Sequence, residues 1–249
     1  WVLSNLGDRY VLVDIAGYRV FYLKDDSIVW STRAQVGKPY RDTPVLRSRI
    51  EALEINPTWT VPPTILNNDV IPAVKSDPGY LKRKHISIFD AQERVVNPGS
   101  IDWSLYPGRP FPYKLRQKPG PDNPLGRIKI LFPNKYMVYL HGTPSMELFD
   151  QEERAFSSGC IRLEKPFELA ELLLDDPVQW NRENLMRVVE RGRTQRLTLA
   201  RPVTILLLYW TVEVDGNGVV YFKQDPYGRD PAVLAGLGRD ADIRFTARR

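Results

Sequence analysis

The chain has 249 residues, 43% hydrophobic and 26% charged, enough to bury one large core or two modest ones. Its 35 lysines and arginines are scattered among 30 acidic residues, so the net charge of +5 forms no basic tract and nucleic-acid binding is not expected. The longest clear apolar run, Val203 to Trp210, falls well short of the ~18 to 20 residues a membrane span needs.

The chain opens on Trp1 with no methionine and no signal peptide, and reads as a mature or trimmed fragment. Arg9 to Ile15, Tyr18 to Leu23 and Ser27 to Thr32 are rich in β-branched and aromatic residues and are broken at Ala16-Gly17 and Lys24-Asp25-Asp26, the pattern of a strand meander. A further strand is predicted over Ile50 to Ile55, ending at Asn56-Pro57. From Thr58 to Pro124 prolines recur too often for long helices or central strands. Short helices are predicted near Thr64 to Lys75 and Pro78 to Arg83, with a small strand over His85 to Phe89. Apolar anchors such as Ile65, Leu66, Val70, Trp103 and Phe111 mark this stretch as an insertion with packing of its own.

Strand signals return over Gly126 to Phe132 and Tyr136 to His141, the latter placing Met137, Tyr139 and His141 on one face. Helical apolar spacing covers Lys165 to Leu174 and Asn181 to Arg191. Two strands follow, Val203 to Val214 and Val219 to Lys223, joined by the hairpin turn Asp215-Gly216-Asn217-Gly218. Beyond Pro231 the pattern fades, and residues 232–249 are predicted to fray.

One cysteine stands in the whole sequence. Cys160 lies in Phe156-Ser157-Ser158-Gly159-Cys160-Ile161-Arg162, nineteen positions after His141, one of two histidines. A lone cysteine is commonly just a small buried hydrophobe. Here Gly159 permits a tight turn that brings amide N–H groups close to a ligand, and Ser157 and Ser158 avoid bulky walls, the requirements of an oxyanion hole beside a nucleophile. If the chain is extended after the cysteine, Arg162 points to the same side, where a guanidinium favours thiolate or holds a substrate carboxylate. His141 is the base such a nucleophile needs. A zinc site from Cys160, His141 and His85 lacks any short ligand spacing, so no metal or cofactor is expected, and His85 reads as a surface or locally hydrogen-bonded residue.

The blocks Tyr139-Leu140-His141-Gly142-Thr143-Pro144 and Ala155 to Leu163 resemble the L,D-transpeptidase catalytic domain, also called the YkuD domain. Val36-Gly37-Lys38-Pro39, Asn56 to Pro63, Asp77 to Leu81 and Gln117 to Gly126 are similar to its large Gram-negative subclass, which carries a capping subdomain. The resemblance covers roughly Arg9 to Tyr227. It implies a mainly β, sandwich-like catalytic domain with peripheral helices over residues 1–57 and 125–231, and a mixed capping subdomain inserted over 58–124.

In function it implies a cysteine that attacks the third residue's carbonyl in a peptidoglycan tetrapeptide stem and releases the terminal D-alanine. A second stem's side-chain amine then resolves the thioester into a 3-3 cross-link. By resemblance Cys160 is the nucleophile, His141 its base, and the Gly142 carbonyl the group that orients the base. Backbone N–H groups of Ser158, Gly159 and Cys160 form the oxyanion hole, and Arg162, Tyr139, Trp59 and Ser157 line the substrate groove. Many relatives have histidine where Ser158 stands, whereas the Gram-negative subclass commonly has serine. The implied partners are stem peptides as donor and acceptor, with carbapenem-type β-lactams as covalent inhibitors, and the implied compartment is the periplasm. A mild positive charge suits an anionic wall polymer, and equally suits solubility. Resolution of the thioester by water or by a lipoprotein lysine, giving a carboxypeptidase or an amidase-like activity, stays open at the level of sequence. A non-catalytic wall-binding module on the same scaffold would be expected to lack the cysteine or the histidine, and both are present.

Overall fold

A computed structural model describes residues 5–106 and 108–237. Its first strands are the meander β1 (Arg9–Asp14), β2 (Arg19–Lys24) and β3 (Ser27–Gly37), followed by β4 (Leu46–Ile55). The small elements that come next are β5 (Trp59–Thr60), α1 (Pro63–Ile65), α2 (Ile71–Ser76), α3 (Tyr80–Arg83), β6 (Ile86–Phe89), β7 (Val95–Val96) and β8 (Lys114–Gln117). The main framework resumes with β9 (Ile128–Leu131), β10 (Leu140–His141), β11 (Ala155–Ser157), β12 (Ile161–Leu163), α4 (Pro166–Leu174), α5 (Arg182–Glu190) and β13 (Gln195–Leu208). The hairpin β14 (Val212–Val214) and β15 (Val220–Phe222) and the helix α6 (Asp230–Leu237) close the described chain.

Nine strands form one sheet in the order β11-β3-β12-β10-β9-β4-β13-β1-β2, and β2 also pairs with β3. The long strand β3 makes both connections: its first half pairs with β2 and its second half with β12 and β11. The sheet therefore turns back on itself, and the architecture is a mainly β sandwich whose two halves enclose one core. Alternation decides which side chains enter that core. Ile128 and Ile130, Leu140, Ile161 and Leu163, and Leu53 and Ile55 all point inward, where Phe167, Leu169, Leu173, Leu185 and Val188 of α4 and α5 pack among them. Burying a side chain of this size stabilises the fold by roughly 1.5–3 kcal/mol. The intervening residues of the same strands face the opposite way, and that outer face carries the site.

Residues 61–115 close a second hydrophobic cluster around Val61, Leu66, Val70, Ile71, Val74, Leu81, Ile86, Ile88 and Leu115. It sits on a four-stranded sheet, β5-β8-β6-β7, with Trp103, Tyr106, Phe111 and Tyr113 in edge and stacked contacts along one margin. Between α1 and α2 the helical path widens to a π-turn over Leu66–Val70. Pro72 has no N–H to give the carbonyl of residue 68, which removes one rung of the ordinary ladder there. Asn123, fully buried, ties together the chain's way into and out of this unit: its amide donates to the carbonyls of Pro57 (3.0 Å) and Lys118 (3.1 Å), and its oxygen accepts from Leu125 N–H.

The structure departs from the sequence reading at several points. The strand expected over Tyr136 to His141 is reduced to Leu140–His141. Asn134 accepts from Tyr136 N–H and Val138 N–H and donates to the Phe132 and Val138 carbonyls, holding a turn in which Met137 takes a φ of 57°. Met137 is thus 71% exposed and shares no face with Tyr139 and His141. The strand expected from Val203 begins eight residues earlier at Gln195, crosses an irregularity between Thr198 and Val203 in its pairing with β4, and ends at Leu208, leaving β14 as a separate element. Residues 230–237 form α6, opened by Asp230 and Pro231, where fraying was expected from 232; the remainder of that expectation lies outside the described residues.

Candidate active site

The register of the sheet assembles the site. Strand β10 runs parallel to β12 with His141 opposite Arg162, and antiparallel to β9 with His141 opposite Lys129. Lys129 in turn pairs with Glu54 on β4, and Arg162 with Gln35 on β3. Directly opposed residues share a face, so Glu54, Lys129, His141, Arg162 and Gln35 form one polar row on the outer side of the core. One step back along β10 and β12 the same register puts Tyr139 opposite Cys160, and Ile161 N–H donates to the Tyr139 carbonyl at 3.1 Å.

His141 is buried, at 4% exposure. Its Nδ1 donates to the Gly142 carbonyl at 2.5 Å, which assigns the tautomer and leaves Nε2 with its lone pair. Gly142 is brought to this position by its own N–H, which bonds the Ile128 carbonyl, and by Gly126: a Cβ at Gly126 would lie 2.7 Å from the Gly142 carbonyl carbon. Burial, Arg162 and Lys129 together push the imidazole down to about 3, against the contrary pull of the Gly142 bond. Cys160 is half-buried. Burial raises its thiol above the ordinary value, opposed by hydrogen bonds from the Tyr139 main chain and phenol and by the charges of Lys129 and Arg162. Both shifts disfavour a preformed thiolate–imidazolium pair. Each group is favoured in its neutral form.

The turn before Cys160 is strongly braced. Gly159 adopts a φ of 108°, a conformation open to glycine. Its carbonyl accepts from the buried Thr43 hydroxyl at 2.9 Å, and the Thr43 oxygen accepts from Gly37 N–H at 2.8 Å. The Tyr227 hydroxyl accepts from Thr43 N–H and donates to the Gly37 carbonyl. Behind it Tyr227 stacks on Tyr209, and Arg229 lies over both rings while pairing with Asp42. From the same loop Arg41 forms a two-pronged ion pair with Asp69 of the π-turn and donates to Ser158 Oγ at 3.0 Å. One arginine so joins the small unit to the residue two before the nucleophile.

Two expected roles change. Ser157 was assigned to the groove but is 2% exposed; its hydroxyl donates to the Cys160 carbonyl at 2.5 Å and accepts from Gly159 N–H at 3.0 Å. Its hydroxyl is therefore committed to holding the turn. The same bond engages the Gly159 amide, one of the three N–H groups expected to form an oxyanion hole. Arg162 lies in the polar row, its Nη1 on Gln35 Oε1 at 3.1 Å and its buried Nε without a hydrogen-bond partner among the described residues. The Tyr139 ring lies 5.6 Å from that of His141. Trp59 sits apart from this row, on β5 against the second core. His85 is exposed, with Asp122 at 3.9 Å as its nearest acid. Among the described residues no group of three or more His, Cys, Asp or Glu could hold a metal. A groove of about 290 Å³ opens beside Gly142, Thr143 and Glu164, but neither His141 nor Cys160 lines it.

Sequence reasoning passed over Gln35, Arg41, Thr43 and Lys129. Lys129 carried a signal, since the alternation Ile128-Lys129-Ile130 puts it on the face opposite the core. Thr43 and Tyr227 carried none, being brought together across 184 residues by the closure of the sheet.

The model of the YkuD L,D-transpeptidase catalytic domain matches residues 8–202. The chain belongs to the YkuD family. A protein of Haemophilus influenzae, provisionally named an L,D-transpeptidase, is 36% identical over 220 residues, covering 88% of this chain and 44% of the relative. This YkuD chain thus spans less than half the length of that relative. Among solved structures, an L,D-transpeptidase from Mycobacterium smegmatis is 14% identical with a TM-score of 0.34, over 81% of this chain and 58% of that one. The Enterococcus faecium L,D-transpeptidase catalytic domain, acylated by ertapenem, is 11% identical with a TM-score of 0.36, over 82% of this chain and all of that one. Membership of the YkuD family stands on the sequence match, not on superpositions this loose.

Proposed function

We propose that the protein is a peptidoglycan L,D-transpeptidase that forms 3-3 cross-links through a thioester on Cys160. The observation that carries this reading is the parallel pairing of β10 with β12, which sets Tyr139 and His141 beside Cys160 and Arg162 with Nδ1 of the base locked on the Gly142 carbonyl. The Cys160 sulfur attacks the carbonyl carbon of the third stem residue while His141 Nε2 takes the thiol proton. The oxyanion is received by the Ser158 and Cys160 amides, each such donor worth ~3 kcal/mol to the transition state. Collapse breaks the peptide bond and His141 gives its proton to the departing D-alanine amine. An acceptor amine then attacks the thioester, loses its proton to His141, and restores the thiol.

In this reading the unit over residues 58–124 caps the groove and limits water, which would divert the thioester to hydrolysis. Trp59 lines the groove from that side, carbapenem-type β-lactams acylate Cys160, and the protein works in the periplasm on the wall. Incubation with a disaccharide tetrapeptide followed by mass spectrometry tests it. Loss of D-alanine with dimer formation is the expected outcome. Tripeptide without dimer would replace it with a carboxypeptidase, and unchanged substrate would overturn both.

A further inference from the structure

We propose that Lys129 is a second anion anchor of the donor site, set across His141 from Arg162, and that the donor peptide is held by one carboxylate on each side of its scissile carbonyl. The inference rests on the donor-peptide reading above. Lys129 and Arg162 occupy the strands on either side of the one bearing His141, in register with it. With strands ~4.8 Å apart, their backbones flank the base about 10 Å from one another.

Among the described residues neither cation has a close carboxylate partner. Arg162 is held by the uncharged Gln35, and its Nε, wholly shielded from solvent, finds no partner among the described residues. A buried donor left open in this way is costly unless a ligand fills it. Lys129 meets a carboxylate only at the limit of an ion pair: Glu54 lies 4.0 Å away and is shared with Arg196 at 3.9 Å. Its Nζ sits 4.3 Å from the centre of the Tyr139 ring, the ring that adjoins His141. The ammonium is thereby poised beside the reacting groups, with a fifth of its side chain exposed. Among the described residues Arg162 and Lys129 flank His141 in register, and the Tyr139 ring lies beside it. Two positive charges about a neutral imidazole fit an anionic ligand far better than an empty or neutral one.

A tetrapeptide stem supplies the two anions: its C-terminal carboxylate on the leaving side, and a carboxylate on a diamino-acid third residue on the acyl side. The test is equilibrium binding to the Cys160→Ala protein of four synthetic tetrapeptides, with both carboxylates free, either one amidated, or both amidated. Lys129→Gln is expected to weaken binding of the free peptide by about tenfold or more, the loss vanishing for one of the singly amidated peptides. Arg162→Gln is expected to show the same pattern with the other. Lys129→Arg, which keeps the charge, is expected to restore most of the affinity and guards against a folding defect. Wild-type affinity in Lys129→Gln, an equal loss for all four peptides, or no binding of any peptide would overturn the inference. Turnover is read separately on the wild-type protein: binding that depends on Lys129 without release of D-alanine would sink the transpeptidase reading and leave the anchor standing.

Discussion

At the scale of single residues, burial favours the neutral forms of Cys160 and His141, and the fold commits neighbouring atoms to placing both. The rate of Cys160 alkylation by iodoacetamide is expected to keep climbing with pH and to level off only above the ordinary thiol value of 9.0, because burial raises the thiol; an inflection below 7 would mean a resting ion pair. His141→Ala is expected to slow acylation by roughly 100-fold or more near neutral pH, from loss of base catalysis, measured as the rate of adduct formation by mass spectrometry. Ser157 and the amide of Gly159 show where a motif misleads. Both lie inside the block that identifies the family, yet the hydroxyl braces the turn and occupies that amide. A sequence motif records that positions matter, and only the backbone path tells which of them face the ligand.

At the scale of elements, the loop from Gly37 to Thr43 connects the nucleophile turn, the small unit and the segment around Tyr227. Arg41→Ala removes both the Asp69 pair and the Ser158 contact. It is expected to slow acylation severalfold with little loss of melting temperature, since the pair is partly exposed and such pairs contribute at most about 1 kcal/mol. Unchanged acylation would show that the contact with Ser158 is passive. Asn123→Ala leaves buried carbonyls of Pro57 and Lys118 without a donor, and is expected to cost about 1–3 kcal/mol in denaturant unfolding. The strands of the meander and the two helices after Cys160 were legible because their apolar period is strong. The strand β8 was not, since its four residues follow a proline-dense stretch and gain their place only by pairing with β5 and β6. Nor was the turn at Asn134, where one side chain overrides the alternation on either side.

At the scale of the whole molecule, the sheet sets residues from five strands in one row with a buried imidazole. That burial links folding to pH. Unfolded, His141 titrates near 6.5, and folded near 3. Between these values the unfolded chain binds a proton that the native state refuses, so stability falls as pH drops from 6.5 toward 3, and this group leaves stability unchanged above that window. The slope is up to about 1.4 kcal/mol per pH unit. Urea unfolding at pH 7, 5 and 4 is expected to show a shallower decline in His141→Asn than in the wild-type protein; parallel declines would place the acid sensitivity elsewhere. The family was readable in the sequence because two short blocks carry it. The row from Glu54 to Gln35 was not, because it exists only in the register of five strands drawn from distant parts of the chain.

The central claim is that Cys160 carries the acyl group. Intact-protein mass spectrometry after incubation with a tetrapeptide donor or a carbapenem reads it directly. A single covalent adduct on the wild-type protein, absent from Cys160→Ala, is the result expected; an adduct that persists in the Cys160→Ala protein would contradict the account.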